Sequence, residues 1–322
     1  MKILFAGTPA NAARTLQGLV DANHEIVAVL TRQDAPVGRK KVLTPSPVAQ
    51  LASQLGIKTI KANSITPETE GGISALGADL AVVVAYGTLL KQGTLDLMPA
   101  GWFNLHYSLL PHWRGAAPVQ SSLLAGDQTT GVSLFKLDEG MDTGPLVSQV
   151  EVEIQPRENS GELLARLTEI GISILVQELP MIAAGLATFR AQENHQTGSL
   201  PLASKPRRHQ AQIDWNQNAI NIERQVRAFN PEPMAFTYLK SESFRVLDAL
   251  ALGSTDWAAL SEPTDVVAGQ IVLENKRVLV HCGQGTLLEL KEVQPAGKKA
   301  MSAIDWARGN QASVFEYKGE ID

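Results

Sequence analysis

Leu80-Ala81-Val82-Val83-Val84-Ala85-Tyr86-Gly87 is the stretch on which the fold turns. Six consecutive apolar residues, three of them β-branched, place apolar groups on both faces of an extended chain. A strand buried on both faces sits at the centre of a parallel sheet covered by helices, not in a half-exposed antiparallel sheet. Working outward, shorter apolar runs at 2–6, 25–30, 57–60 and 102–106 alternate with helical periodicity at 12–22, 47–55 and 118–125. That is the βαβ rhythm of a Rossmann-like, doubly wound α/β domain, placed here over residues 1–187. Its last part departs from the rhythm: a hairpin arm is expected over 146–154, then a long amphipathic helix over 161–179, capped by Ser160 and interrupted by Pro180.

Residues 188–207 lie in a stretch rich in Gln, Asn, His, Ser, Pro and Arg with little apolar periodicity, and read as a linker. The remainder, 208–322, opens with a helix at 218–229. Short alternating strands follow at 236–239, 244–249, 269–273, 278–281 and 286–293, a pattern that suits a small barrel.

A chain of 322 residues exceeds the usual size of one hydrophobic core, in keeping with two domains. The lone Cys282 rules out an internal disulfide and a thiolate zinc cluster, and suits a reducing compartment. The apolar run at the start is too short for a secretory leader, and no stretch reaches the ~18 apolar residues of a membrane span. A cytoplasmic protein with no membrane partner is therefore expected, working as a monomer. The net charge of −5 argues against indiscriminate nucleic-acid binding. Local charge differs: Arg32, Arg39, Lys40 and Lys41 face only Asp34 between 32 and 41, Lys205, Arg207 and Arg208 form a second cluster, and Lys298 and Lys299 a third. Each cluster alone reads as a solvated surface, whereas together they could form one basic stripe.

Chemistry concentrates after the strand at 102–106. Asn104 and His106 are two apart on it and so share a face. Pro111, Gly115 and Pro118 force the chain to turn where that polar pair emerges, at a strand end of the kind that carries α/β active sites. An amide and an imidazole can together donate two hydrogen bonds to a developing oxyanion. Asp142, in Asp138-Glu139-Gly140-Met141-Asp142-Thr143-Gly144, adds a carboxylate whose alternative role is to cap its own turn. Tyr107 points opposite to His106 and reads as packing. The first turn, Phe5-Ala6-Gly7-Thr8-Pro9, carries a single glycine where a dinucleotide-binding fold has three, and the chain has no glycine-lysine phosphate loop.

Asn104-Leu105-His106, Ser108-Leu109-Leu110-Pro111, Arg114-Gly115-Ala116-Ala117-Pro118 and the 138–144 turn resemble the formyltransferases that use 10-formyltetrahydrofolate. The resemblance runs on through Ile213-Asp214-Trp215, Arg227-Ala228-Phe229-Asn230-Pro231 and Gln294-Pro295-Ala296-Gly297-Lys298-Lys299-Ala300-Met301. It implies that Asn104, His106 and Asp142 are catalytic, and that Ser108, Leu109, Leu110 and Pro111, with Tyr86, Gly87 and Leu90, line the folate pocket. No metal is implied. Within the family the match is tightest to the branch whose acceptor is methionyl initiator tRNA. That implies an OB-like barrel and tRNA contacts by Arg39, Lys40, Lys41, Lys205, Arg207, Lys298 and Lys299. The family's basic run usually has glycine at the place of Lys40 and lysine at that of Val42, and tryptophan is frequent at that of Glu232. A small acceptor, either glycinamide ribonucleotide or an amino-sugar nucleotide, and an inactive RNA-binding protein are the alternatives.

Overall fold

The computed structural model describes residues 1–38, 40–193, 200–253, 267–309 and 314–318. They divide into two compact units. The first comprises Met1–Pro118, Gln128–Glu153 and Leu164–Ser204, and the second Val119–Asp127, Ile154–Leu163 and Lys205–Asp322.

The first unit contains β1 (Lys2–Gly7), β2 (Glu25–Thr31), β3 (Ala35–Val37), β4 (Val42–Thr44), β5 (Thr59–Lys61), β6 (Leu80–Val84), β7 (Trp102–His106), β8 (Thr129–Lys136) and β9 (Leu146–Glu153). Its main sheet runs β5-β2-β1-β6-β7-β8-β9. Pairing is parallel from β5 to β7 and antiparallel from β7 to β9. Every residue of β6 is buried, as its two-faced apolar pattern requires. Leu4, Ala6, Ala81 and Val83 face one core with Ala28 and Leu30, which is the period-two arrangement of adjacent pleated strands. β3 and β4 form a separate two-stranded hairpin.

Helix α1 (Ala10–Asp21) follows β1. α2 (Pro47–Gln54) and α3 (Pro67–Ser74) each begin with proline behind a hydroxyl cap, Ser46 and Thr66, whose oxygens accept from Ala49 N and Thr69 N. α4 (Gln92–Leu95) and α5 (Pro118–Ala125) flank β7 in sequence, and α6 (Ser160–Ala183) follows β9. Within the first unit α6 packs closely. A Cβ on Gly18 of α1 would lie 2.6 Å from Ile172, and one on Gly171 would lie 2.4 Å from Leu105 on β7.

Two expectations about α6 need correction. Pro180 does not interrupt it. The helix continues to Ala183, with Ala184 N donating to Pro180 O. It turns off at Gly185, whose φ is +68°, a left-handed residue of the kind that commonly ends helices. The proline ring removes only the hydrogen bond to Val176, which lies on the exposed side. Nor is Ser160 the cap. Asn159 Oδ1 accepts from Gly161 N and Glu162 N while Glu162 answers to Asn159 N, a capping box that leaves Ser160 Oγ to donate to Asn230 O.

The second unit holds α7 (Ala219–Phe229), β10 (Phe236–Leu239), β11 (Glu242–Ala251), β12 (Ile271–Glu274), β13 (Arg277–Cys282), β14 (Thr286–Pro295), β15 (Met301–Ser302) and α8 (Ala303–Ala307). The sheet is antiparallel in the order β10-β11-β14-β13-β12, with β15 on β14. Residues 314–316 bridge Tyr238 on β10 and Gln270 beside β12, curling the two edges toward one another as a small barrel requires. Its core stacks Trp215 on Phe315 at 5.2 Å, with Phe244 and Trp306 against them. Burial there pushes the Cys282 thiol up to about 12, so it packs as an inert apolar group.

Candidate functional site

The strand order reverses between β1 and β6, and in open α/β sheets the crevice beyond the carboxyl ends of strands at such a point is the ligand site. Gly7 shapes its floor: a Cβ there would meet Ala12 at 2.8 Å and both Phe5 and the Val84 carbonyl at 2.9 Å. β7 ends beside this crevice with Asn104 in register with Val83 of β6 and Phe135 of β8. Asn104 is half-buried, and among the described residues no hydrogen bond engages its side-chain amide. Its N–H donors are available to a ligand.

His106 is buried and held at a defined angle. Its ring meets Phe135 edge-on, and Nε2 lies 2.9 Å from the Trp113 carbonyl. A carbonyl can only accept, so Nε2 carries the proton and Nδ1 is the nitrogen left for chemistry. Nδ1 faces the Asp142 carboxylate, with Oδ2 at 3.8 Å. The same oxygen accepts from Gly115 N at 2.8 Å. Asp142 itself has a φ of +54°. That left-handed conformation costs an L-residue roughly 1–2 kcal/mol and is best tolerated by glycine, asparagine and aspartate.

The loop between His106 and α5 is fixed by buried hydroxyls. Ser108 Oγ donates to His112 O at 2.6 Å, Ser133 Oγ donates to Ser108 O at 2.6 Å, and Leu110 N donates to Ser133 Oγ at 3.2 Å. Gln149 Nε2 bridges Leu110 O and Ser133 Oγ at 3.0 and 2.9 Å, and Leu110–Pro111 is cis. Leu109 rests over Gly131, where a Cβ would lie 2.4 Å from it. Tyr86 sits in the core with its hydroxyl donating to Ala62 O, its ionisation pushed up chiefly by burial. The Gly87 carbonyl accepts from Arg32, and Leu90 is buried. Tyr107 is buried opposite His106, its hydroxyl accepting from Asn11. Burial is the main cause that raises its ionisation, with Thr168 and Asn11 opposing.

Lys40 and Lys41 are exposed in the turn between β3 and β4, where Val37, Val42 and Leu43 are also exposed. Arg39 lies outside the described residues. Lys205, Arg207, Lys298 and Lys299 belong to the second unit, and among the described residues none of these cations is in an ion pair. The 227–231 motif is a structural knot of that unit. Asn230 donates to Leu247 O and accepts from Ser160, and Arg227 pairs with Glu223 at 3.5 Å. A cleft of about 510 Å³ beside it holds Arg157 bound to Asp248.

Sequence reading missed Ser133, Gln149, Gln192 and Ala203. Ala203 O accepts from Ala116 N and Ala117 N, and Gln192 Nε2 donates to the carbonyls of Asp142 and Gly144. Ser133 and Gln149 are polar residues facing each other on β8 and β9, and that polarity within apolar strands is a signal. An isolated amide and an alanine in a polar stretch leave none.

A family described as Formyl transferase matches residues 1–179, and one described as Formyl transferase, C-terminal domain, matches residues 205–311. The chain is 47% identical to a methionyl-tRNA formyltransferase of Arthrobacter sp. (strain FB24), over 98% of this chain and all of that one. It is 44% identical to that of Corynebacterium glutamicum (strain R), over 97% and 98%. Among solved structures it resembles an N-formyltransferase from Helicobacter canadensis bound to folinic acid and dTDP-3-aminofucose. The TM-score is 0.65 at 17% identity, over 92% of this chain and 99% of that one, a likeness of fold.

Proposed function

The chain belongs to the formyl transferase family, and from that premise we propose that Asn104, His106 and Asp142 are its catalytic residues. The enzyme transfers a formyl group from a formyl-folate to the amino group of methionine carried by initiator tRNA. The donor is 10-formyltetrahydrofolate, lined by Ser108, Leu109, Leu110 and Pro111 with Tyr86, Gly87 and Leu90. The site suits a formyl carbonyl, because it offers one unengaged amide and one oriented imidazole at the same strand end.

The observation that carries the reading is the pinning of His106. With Nε2 held by the Trp113 carbonyl, Nδ1 points toward Asp142. Asn104 donates an N–H to the formyl oxygen as the acceptor amine attacks and negative charge grows there. His106, as imidazolium, supplies the second donor through Nδ1. Asp142 orients that ring and takes part in moving the proton from the attacking amine toward the leaving folate nitrogen. Holding both substrates at this strand end supplies much of the remaining acceleration.

Residues 1–187 form the catalytic domain, 188–207 the linker, and 208–322 the OB-like tRNA-binding domain. Arg39, Lys40, Lys41, Lys205, Arg207, Lys298 and Lys299 contact RNA phosphates. That the described members of this set have no ion-pair partner among the described residues favours that role. The enzyme works in the cytoplasm as a monomer. No helix among the described residues is long and apolar enough to cross a membrane.

Single-turnover transfer of labelled formyl from 10-formyltetrahydrofolate tests the whole reading, with methionyl initiator tRNA, methionyl elongator tRNA and glycinamide ribonucleotide as parallel acceptors. Rapid labelling of the initiator species alone is expected. Labelling of only the small acceptor would overturn the RNA assignment.

A further inference from the structure

Residues 188–193 and 200–204 act as straps over the catalytic loops of the first unit. Phe189 stacks on Phe103 of β7, with centroids 6.4 Å apart, and Arg190 exchanges two backbone hydrogen bonds with Leu146 at 2.8 and 2.9 Å. Beyond Arg190 the side chains take over. Gln192 accepts on Oε1 from both Nε and Nη2 of Arg114, at 3.2 and 2.7 Å, and donates through Nε2 to the carbonyls of Asp142 and Gly144, both at 2.8 Å. One amide therefore ties the loop after β7 to the loop that carries the carboxylate. Farther on, Ala203 pairs with Arg114, Ala116 and Ala117 through its backbone.

Two features make Gln192 more than a surface contact. The loop it holds is conformationally unfavourable in isolation, because Asp142 has positive φ, and the bonded carbonyl is that of Asp142 itself. The orientation of the amide is also dictated. The guanidinium of Arg114 has only donors, so it must meet the amide oxygen, and this directs the NH₂ group at the two carbonyls, which only accept. The identity of the side chain is thereby specified at both ends. Arg190, two residues earlier, repeats the device on the other loop: its Nη2 donates to Gln149 Oε1 at 3.3 Å, and Gln149 Nε2 donates to Leu110 O.

We propose that Gln192, oriented by Arg114, is a positioning residue for catalysis, acting through Asp142 by fixing the loop that sets its carboxylate opposite His106 Nδ1. The proposal rests on the catalytic reading of Asp142. Both ends of the Gln192 amide are taken up by Arg114 and the two carbonyls, so its loss slows turnover and leaves substrate affinity in place.

The test is a double-mutant cycle on the full-length enzyme with Gln192→Glu and Asp142→Ala, reading kcat, both KM values and the melting temperature. Gln192→Glu keeps the shape and the Arg114 pairing but sets an acceptor against two carbonyls. It is expected to lower kcat roughly 10- to 100-fold, the scale of a displaced catalytic group. Both KM values should stay within about threefold, and the double variant should be no slower than Asp142→Ala alone. Gln192→Asn, whose amide is one methylene too short, serves as the second variant if the first does not fold. A slow Asp142→Ala beside wild-type kcat in the Gln192 variants, or losses that multiply in the double variant, would overturn the proposal alone. So would a lowered melting temperature with kcat intact. Normal turnover in Asp142→Ala would remove the catalytic reading of Asp142 and the proposal with it.

Discussion

The loops around His106 and the hairpin that carries Lys40 and Lys41 are opposites in construction. In the first, serine hydroxyls and glutamine amides fix backbone carbonyls at 2.6–3.0 Å, and the imidazole is held through Nε2 with Nδ1 turned toward the Asp142 carboxylate. In the second, exposed lysines and exposed apolar side chains stand on a two-stranded hairpin outside the main sheet. A group that stabilises a few ångströms of developing charge has to be fixed before the substrate arrives. A group that attracts a phosphate backbone needs charge and access, and tolerates a looser setting. The contrast predicts that substitutions in the first region change turnover and those in the second change affinity.

The largest effect belongs to Asn104. Asn104→Ala removes the proposed oxyanion donor and is expected to lower kcat about 10²–10³-fold with tRNA affinity unchanged, as measured by single turnover beside filter binding. Near-normal turnover would break the comparison at its strongest point. Gly115→Ala comes next. Its φ is +119°, and the new Cβ would lie 2.8 Å from Ala203 O. Alanine does not adopt such a conformation readily, so the N–H that holds Asp142 must move. A loss of roughly tenfold to a hundredfold in kcat is expected, against little change in KM for tRNA.

On the other side, Lys40→Ala combined with Lys41→Ala should weaken tRNA binding and reduce the slope of log K against log salt by about one per lost phosphate contact, with kcat at saturation nearly unchanged. A salt slope equal to the wild type would show that the turn does not meet phosphate. The smallest effect sharpens the same division within the barrel, where not every cation is free. Glu289 is desolvated, which alone would raise its ionisation. Hydrogen bonds and attraction from Arg277 and Lys291 outweigh this and leave it below the usual carboxylate value. Because its folded value is depressed, its stabilisation is complete above ~4.3 and is lost as the pH falls through the folded value. Glu289→Gln should therefore cost about 1 kcal/mol in urea melts at neutral pH, with the difference vanishing in acid.

What was legible in the sequence follows the same division. The two-faced apolar run of β6 and the two-residue spacing of Asn104 and His106 are local patterns, and both elements are present as strands. β8 is hidden because Thr129, Thr130, Gly131 and Ser133 dilute its apolar signal, although the glycine and serine are needed where Leu109 and Ser108 approach. α3 is hidden because two glycines weaken its helical pattern, leaving a proline start and a threonine cap as its only signal. Gln192 was not legible, since its importance comes from carbonyls 48 and 50 residues away in sequence. The basic residues were visible as composition, but charge has no periodicity that reports which surface it shares.

The strap has a consequence for synthesis on the ribosome. When residue 187 has been polymerised, the whole sheet that bears Asn104 and His106 exists, yet Arg190, Gln192 and Ala203 have still to be added. At about 5–20 residues per second, that interval lasts roughly one to three seconds. Throughout it the nascent chain carries Asn104, His106 and Asp142 without the fastenings of their loops, and the candidate site is completed by the last part of the first unit to be made.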